Sequence, residues 1–240
     1  MQFQIPIMQK HEFEKALAGV ELHPVVPLAP GDALLRMNLT AGNAHLNTAT
    51  FSSTGLFSAW VEDLLHRKEA RYGIGGYGEH RTIYARSEYF DTGEEPRRLH
   101  LGIDVWGPAG TPVHAPLAGT VHSAAFNDHF GDYGATVILR HELNGFVFHT
   151  LYGHLDLASL QDKEEGRAVA GGELVARFGP PEENGHWPPH LHFQVIVDIG
   201  DWKGDYPGVC RYSERAQWMA NCPDPDVLLR LMERAVGEPD

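Results

Sequence analysis

Apolar residues recur at every third or fourth position over residues 55–70, which is the spacing of one face of a helix. These apolar positions are Leu56, Phe57, Trp60, Val61, Leu64 and Leu65. Ser53 or Thr54 precedes them and is typical of an N-cap, because its side-chain oxygen can accept a hydrogen bond from the first helical turn. The pattern therefore predicts an amphipathic helix that packs its apolar face against the core.

Weaker patterns towards both ends of the chain predict further elements. Charged and apolar residues at helical spacing indicate a short helix over residues 9–18, and residues 32–40 are expected to form a strand. Near the other end, Asp224 followed by Pro225 is typical of an N-cap and a first helical residue. Proline is tolerated there because a backbone N–H at the first helical position would have no partner within the helix. A C-terminal helix is therefore expected to run through Met232.

From Leu99 onward the pattern changes to short apolar runs separated by turn residues. The turns are Pro108-Ala109-Gly110, Ala118-Gly119, Gly131-Asp132-Tyr133-Gly134, Asn144-Gly145 and Gly171-Gly172. Asn-Gly between two apolar runs is a strong signal for a two-residue β-hairpin, and regular short strands favour a sandwich or barrel. We therefore expect a mainly β fold with flanking helices, of the α+β class. The expected divisions are an N-terminal extension over 1–75, a β domain over 76–222, and a C-terminal helix and tail over 223–240.

Composition narrows the range of partners. The chain has 240 residues, of which 42% are hydrophobic, and its 26 Gly and 16 Pro suit a turn-rich β architecture. Its net charge of −13 argues against nucleic acid as a partner, because phosphate backbones are bound through clustered Lys and Arg.

The sequence also bears on compartment. No stretch approaches the ~20 apolar residues of a membrane span, and residues 1–12 lack the pattern of a signal peptide. We therefore expect no membrane span, and a cytoplasmic protein if residue 1 is the natural start; otherwise the protein would be periplasmic or secreted. Cys210 and Cys222 are then expected to be reduced thiols that pack as small apolar residues.

Two segments carry side chains that suit a metal ion. In a strand, residues i and i+2 face the same side, so His190 and His192 are expected to stand together with Leu191 turned into the core. His100 and Asp104 come from a different segment, which a shared metal would join to the first. Catalytic zinc takes three protein ligands of these types and leaves a fourth position to water. The residues therefore predict a hydrolytic zinc site.

The residues around these segments form four blocks, in one order and at ordinary loop distances, over about residues 98–200. The blocks are His100 to Asp104 leading into 110–121, then 131–141, then 151–155 and last 190–195. Together they resemble the lysostaphin/LytM-type zinc metallopeptidases. A lone His-x-His would be weak evidence, whereas four ordered blocks are specific.

The resemblance implies a fold and a set of roles. The β domain would be a compact antiparallel barrel-sandwich, the duplicated hybrid motif. One Zn²⁺ per chain would be bound by His100, Asp104 and His192, while His154 and His190 would line the cleft without binding the metal. One of these two would act as general base, for which His190 is preferred, and the other in protonated form would stabilise the oxyanion. The reverse assignment stays open.

The charged, glycine-hinged segment 76–86 lies just before His100. One hypothesis is that it walls the groove, where Arg81 or Arg86 would bind a substrate carboxylate bidentately. The alternative is that both arginines pack the N-terminal region onto the β domain. His186, in the loop before the second histidine pair, is a further candidate for contact with substrate.

The resemblance implies a zinc endopeptidase whose partner is a peptide or a peptidoglycan fragment. One alternative is a cytoplasmic hydrolase of the same fold that acts on another small amide or peptide. Others are a non-catalytic LytM-like regulator and a sugar-phosphotransferase carrier with a phosphorylated histidine. The complete ligand set argues against the last two.

Overall fold

The structure is a computed structural model and describes residue 13, residues 15–91 and residues 93–237. Its strands are β1 (Ala33–Met37), β2 (Ala70–Gly75), β3 (Leu99–His100), β4 (Ile103–Trp106), β5 (Pro112–His114), β6 (Gly119–Asn127), β7 (Gly134–Leu143), β8 (Phe146–Leu155), β9 (Ala168–Val169), β10 (Leu174–Arg177), β11 (His190–Ile196), β12 (Val209–Cys210) and β13 (Ala235–Gly237). Its helices are α1 (Thr48–Phe51), α2 (Thr54–Arg67), α3 (Arg215–Asn221) and α4 (Asp226–Leu229), with 3₁₀ turns at Ile83–Arg86, Glu88–Phe90, Leu157–Leu160 and Tyr212–Glu214. The mainly β class with flanking helices is confirmed.

A nine-stranded sheet dominates the molecule, in the order β13-β1-β2-β4-β11-β8-β7-β6-β9. Strands β4, β11, β8, β7 and β6 pair antiparallel with their neighbours, and the predicted Asn144-Gly145 hairpin joins β7 to β8. Two short antiparallel pairs, β5 with β10 and β3 with β12, complete the strand pairing of the described residues. Within those residues, no helix combines the length and the apolar character needed to cross a membrane.

One edge of the sheet differs from the antiparallel expectation. Strand β1 pairs parallel with both β2 and β13. Parallel neighbours need a crossover connection, and α1 and α2 supply it between β1 and β2. Segments before residue 76 and after residue 222 thus share one sheet with the β domain.

Helix α2 confirms the predicted amphipathic helix. The side chain of Ser53 accepts a hydrogen bond from the backbone of Leu56 and caps its first turn. The ring of Phe57 is fully buried, with its centroid 5.8 Å from that of Trp106 and 6.5 Å from that of Trp187. The helix therefore backs the face of the sheet that carries the histidines.

The other terminal predictions fare differently. Strand β1 lies inside the predicted range 32–40. Of the predicted helix over 9–18, residues 9–12 and 14 lie outside the described residues, while Phe13, Lys15 and Ala16 are helical. The C-terminal helix is shorter than expected and ends at Leu229, because Arg230 adopts a left-handed conformation with φ of 53°. Helix α4 is followed by a turn in which Oδ1 of Asp226 accepts hydrogen bonds from the backbone amides of Leu231 and Met232.

His141 on β7 is a structural histidine with no exposed surface. Its Nδ1 lies 2.9 Å from the carbonyl of Ala118, and its Nε2 lies 2.8 Å from Oγ1 of Thr150. Burial lowers the pKa of His141 from 6.5 to about 4. The unfolded chain therefore binds a proton at a pH where the folded protein does not. The stability that the neutral ring supplies is fully present above pH 6.5 and is lost as the pH falls through about 4.

We expect His141→Gln to flatten the acid limb of the stability curve. The lowered pKa of His141 corresponds to a change on the order of 3 kcal/mol in the free energy of unfolding between pH 6.5 and about 4. Urea unfolding of both proteins across the window measures it as the difference between their pH slopes. His66→Gln, at an exposed position on α2, is the matched control. Equal slopes in the His141 variant and the wild type would contradict the assignment.

Candidate metal centre

Neighbouring strands bring the predicted ligands together. Strands β4 and β11 pair in a register that sets His192 opposite Asp104. The side chain of Leu191 is fully buried in the core, while His190 and His192 both line the cleft, which confirms the predicted alternation. His100, at the end of β3, is held by backbone hydrogen bonds to the segment before it, at Gly78 and Glu79.

The ligand atoms of His100, Asp104 and His192 lie within 4.8 Å of one another, and all three residues are buried. Oδ1 of Asp104 is 3.0 Å from Nδ1 of His192 and 3.2 Å from Nε2 of His100. These two nitrogens are themselves 3.0 Å apart. Two imidazole nitrogens and one carboxylate oxygen that converge on one point form a donor set that fits zinc.

Hydrogen bonds on the far sides of both rings fix their tautomers. Nδ1 of His100 lies 3.0 Å from the carbonyl of Gly76, to which it donates, and this leaves the lone pair on Nε2. Nε2 of His192 lies 2.9 Å from Oε1 of Gln194, which leaves the lone pair on Nδ1. Gln194 is held in turn by the carbonyl of Pro207. Both lone pairs therefore face Asp104, as metal ligation requires.

The surroundings keep the carboxylate charged and one imidazole neutral. Burial works to raise the pKa of Asp104, but His100 and Arg81 outweigh it, so the pKa lies well below its usual value. Burial, with Arg81 nearby, lowers the pKa of His100 to about 4. At neutral pH these two side chains are in the states in which they bind metals.

Two further histidines stand beside the three. The ring centroids of His154 and His190 are 4.1 Å apart. Nδ1 of His154 lies 2.7 Å from the carbonyl of Asn184, and Nδ1 of His190 lies 2.7 Å from that of Pro188. Because Nδ1 donates in both rings, Nε2 is the basic nitrogen of each neutral ring.

Both of these rings are neutral near neutral pH. Burial lowers the pKa of His190 to about 4 and holds that of His154 well below its usual value. For one of them to act in protonated form, as the resemblance implies, that ring would have to take up a proton during the reaction. His154 also has a φ of 63°, a strained value for a residue other than glycine and one that is often found at functional sites.

The sequence profile described as Peptidase family M23 matches residues 98–203, which include all five of these residues. The chain carries a peptidase family M23 domain. The resemblance to the lysostaphin/LytM-type peptidases is thereby confirmed at the level of the family.

The chain is similar to several characterised proteins. It is 39% identical over 101 residues to the DD-carboxypeptidase/endopeptidase Mpg of Neisseria meningitidis, a match that covers 42% of this chain and 21% of that protein. It is 32% identical over 152 residues to an L-Ala–D-Glu endopeptidase of Bacillus subtilis, which covers 57% of this chain and 44% of the relative. The catalytic domain of lysostaphin from Staphylococcus simulans is 20% identical with a TM-score of 0.39, over 67% of this chain and 96% of that domain. The chain spans less than half the length of the curated relatives that it matches.

Aromatic rings surround the histidines of the M23 domain. The indole of Trp106 stacks on His190 with centroids 3.9 Å apart and an angle of 13° between the planes. The ring of Tyr133 packs against both His154 and His192. The cleft between these rings and the strands also exposes charged groups, among them Arg97, which donates to the carbonyl of Tyr89. Trp106 ends strand β4 and Tyr133 lies in the loop between β6 and β7, so no local pattern indicated that both rings contact the same group of histidines.

Arg81 differs from the prediction that it binds substrate. Its side chain is fully buried. Nη1 donates to Oδ2 of Asp104 at 2.5 Å, and Nε donates to Oε2 of Glu79 at 2.7 Å. The guanidinium therefore contacts the candidate metal ligand: Nε and Nη1 donate to protein carboxylates, while Nη2 is buried and has no hydrogen-bond partner among the described residues.

Arg86 and His186 lie together at a packing contact. The guanidinium of Arg86 lies 5.0 Å from the ring of Phe130 and 4.8 Å from that of Trp187, and it donates to Oγ1 of Thr54. The ring of His186 stacks on Phe130, and its carbonyl accepts from the same Thr54 hydroxyl. Neither residue lines the cleft that holds the histidines. For Arg86 the contacts favour the alternative that it packs the start of α2 onto the M23 domain, and His186 lies exposed beside it.

Proposed function

We propose that the protein is a zinc endopeptidase that hydrolyses a peptide bond in a peptidoglycan-type peptide. The observation that carries the proposal is the convergence of His100, Asp104 and His192 beside two neutral histidines whose Nδ1 atoms donate to backbone carbonyls, which leaves Nε2 as the basic nitrogen. One zinc per chain would be held by these three residues. When bound, zinc would polarise a carbonyl and acidify water, as it does in hydrolytic sites generally.

The residues of the chain would move the proton. Nε2 of His190 accepts the proton of the attacking water and delivers it to the leaving amine, since a neutral imidazole can do both. Trp106, stacked on this ring, stabilises the cation that forms, because an aromatic face attracts positive charge. This stacking supports His190 as the base. His154, whose ring lies against that of His190, stabilises the oxyanion once its Nε2 has taken a proton, and the buried walls exclude bulk water from both.

The class of substrate rests on the relatives. Mpg is named a DD-carboxypeptidase/endopeptidase, a Vibrio cholerae relative is named a peptidoglycan DD-endopeptidase, and the Bacillus subtilis relative is named for an L-Ala–D-Glu bond. All three names describe the cleavage of peptide bonds, in one case of peptidoglycan. We propose the same class for this chain.

A panel of defined peptides tests the function. Zinc-loaded protein is incubated with a cross-linked muropeptide dimer, an uncross-linked stem peptide, a pentaglycine peptide and an unrelated peptide of the same length. Mass spectrometry then identifies the bonds that are cut. We expect cleavage of at least one peptidoglycan-type peptide, its loss on chelation and its return with zinc. Cleavage of the unrelated peptide alone would indicate another peptide hydrolase. Binding without any cleavage would indicate a regulator.

A further inference from the structure

The carboxylate of Asp104 uses its two oxygens for different contacts. Oδ1 faces the two ligand histidines, 3.0 Å from Nδ1 of His192 and 3.2 Å from Nε2 of His100. Oδ2 faces the other way and accepts the 2.5 Å hydrogen bond from Nη1 of Arg81. Arg81 thus binds Oδ2 of Asp104, and Oδ1 faces the nitrogens of His100 and His192.

Arg81 is itself fixed from several sides. Nε donates to Glu79, whose other oxygen accepts from the backbone amide of Leu39 at 3.1 Å. Nη1 also donates to the hydroxyl of Tyr84 at 3.2 Å. A Cβ at Gly75 would lie 2.6 Å from Nη2 of Arg81, so this position has no room for a larger residue without movement of the guanidinium. The guanidinium is therefore held in one orientation before any metal binds.

All of these supporting residues lie outside the segment that the family profile matches, which begins at residue 98. A buried guanidinium is costly unless carboxylates compensate it. Here two carboxylates do so, those of Asp104 and Glu79. Water cannot take the place of these carboxylates, because the side chain of Arg81 is fully buried.

We propose that Arg81 is a positioning residue of the metal centre: it holds Oδ2 of Asp104 so that Oδ1 is the single, pre-oriented carboxylate ligand. The proposal rests on the proposed zinc function. Residues that orient metal ligands typically contribute ~10–100-fold to metal affinity. Here the orienting contact comes from a part of the chain that precedes the M23 domain, so this part completes the site.

Zinc affinity tests the proposal without reference to turnover. Arg81→Met removes every polar contact of the side chain, and Arg81→Lys keeps the charge but offers no planar fork for two carboxylates. We expect zinc binding, measured by competition with a chromophoric chelator, to weaken ~10–100-fold in the Met variant and by less in the Lys variant. Arg86→Met is the matched control, since it removes a guanidinium that contacts Thr54 and aromatic rings rather than Asp104, and we expect wild-type affinity.

A second readout separates positioning from a general loss of stability. In the cobalt(II)-loaded protein, a freed Asp104 can offer both oxygens, and a higher coordination number weakens the visible absorption bands. We expect weaker bands in Arg81→Met and wild-type bands in Arg86→Met. If Arg81→Met does not fold, Glu79→Gln takes its place, because it loosens Arg81 without touching Asp104, and we expect a smaller shift in both readouts.

The outcomes distinguish the two claims. Wild-type protein that binds no zinc would overturn the proposed function. Wild-type protein that binds zinc, together with a folded Arg81 variant of equal affinity and unchanged cobalt bands, would overturn the positioning role alone. Where Glu79→Gln is the variant available, unchanged affinity and bands overturn the role in the same way.

Discussion

Replacing His192 with alanine is expected to abolish turnover and to lower zinc affinity by more than the ~100-fold that a supporting residue contributes. The reason is that Nδ1 of His192 is one of three donor atoms, and its loss leaves His100 and Asp104 without the third. Elemental analysis after dialysis against a weak chelator, together with a peptide-cleavage assay, measures both effects. Zinc should be lost in the variant and kept in the wild type.

His186→Ala is the matched control for this result. It also removes an imidazole, but from an exposed position outside the cleft, and it should keep zinc at the wild-type level. A His192 variant that retains zinc with unaltered affinity would show that the three residues are not the ligand set. Loss of zinc in both variants would indicate unfolding, which circular dichroism detects.

Substitution of either cleft histidine is expected to separate catalysis from metal binding. His154→Ala and His190→Ala should each keep zinc and lower kcat by ~10²–10⁴-fold, the usual contribution of a general acid–base group. The group of converging atoms comes from His100, Asp104 and His192 and includes no ring nitrogen of His154 or His190, which is why zinc should remain. Kinetics on a peptide that the wild-type protein cleaves, with zinc measured in the same samples, gives both kcat and the zinc content.

A third substitution, at Trp106, identifies which of the two rings is the base. Trp106 stacks on His190, so Trp106→Leu should lower kcat with little change in zinc content if His190 carries the transient charge. An unchanged kcat would favour His154 as the base instead. Loss of zinc from His154→Ala or His190→Ala would make that residue a ligand.

The sequence was sufficient to predict those parts of the site that depend on local spacing. His190 and His192 share a face because strand residues alternate, and the order of the motif blocks placed His100 and Asp104 with them. The amphipathic helix α2 and the hairpin between β7 and β8 were predictable for the same reason, since each depends on residues close in the chain.

Contacts between distant segments were not predictable from spacing. One hypothesis placed Arg81 at the substrate, but it lies buried against Asp104, 23 residues further along the chain. Its place depends on β2 pairing with β4, which no local pattern indicates. The parallel edge of the sheet and the early end of α4 depend likewise on crossover and turn geometry rather than on periodicity.

The position of β2 beside β4 has a consequence for any shortened version of the protein. Strand β4 carries Asp104 and is covered on one side by β11 and on the other by β2. A fragment cut at residues 98–203 would leave the β2 side of β4 as a bare edge, with unpaired backbone groups along Asp104, Val105 and Trp106. Such edges recruit strands from other molecules. The limits of the family match therefore do not coincide with the limits of a soluble unit, and the strand that delivers the carboxylate would become a site of self-association.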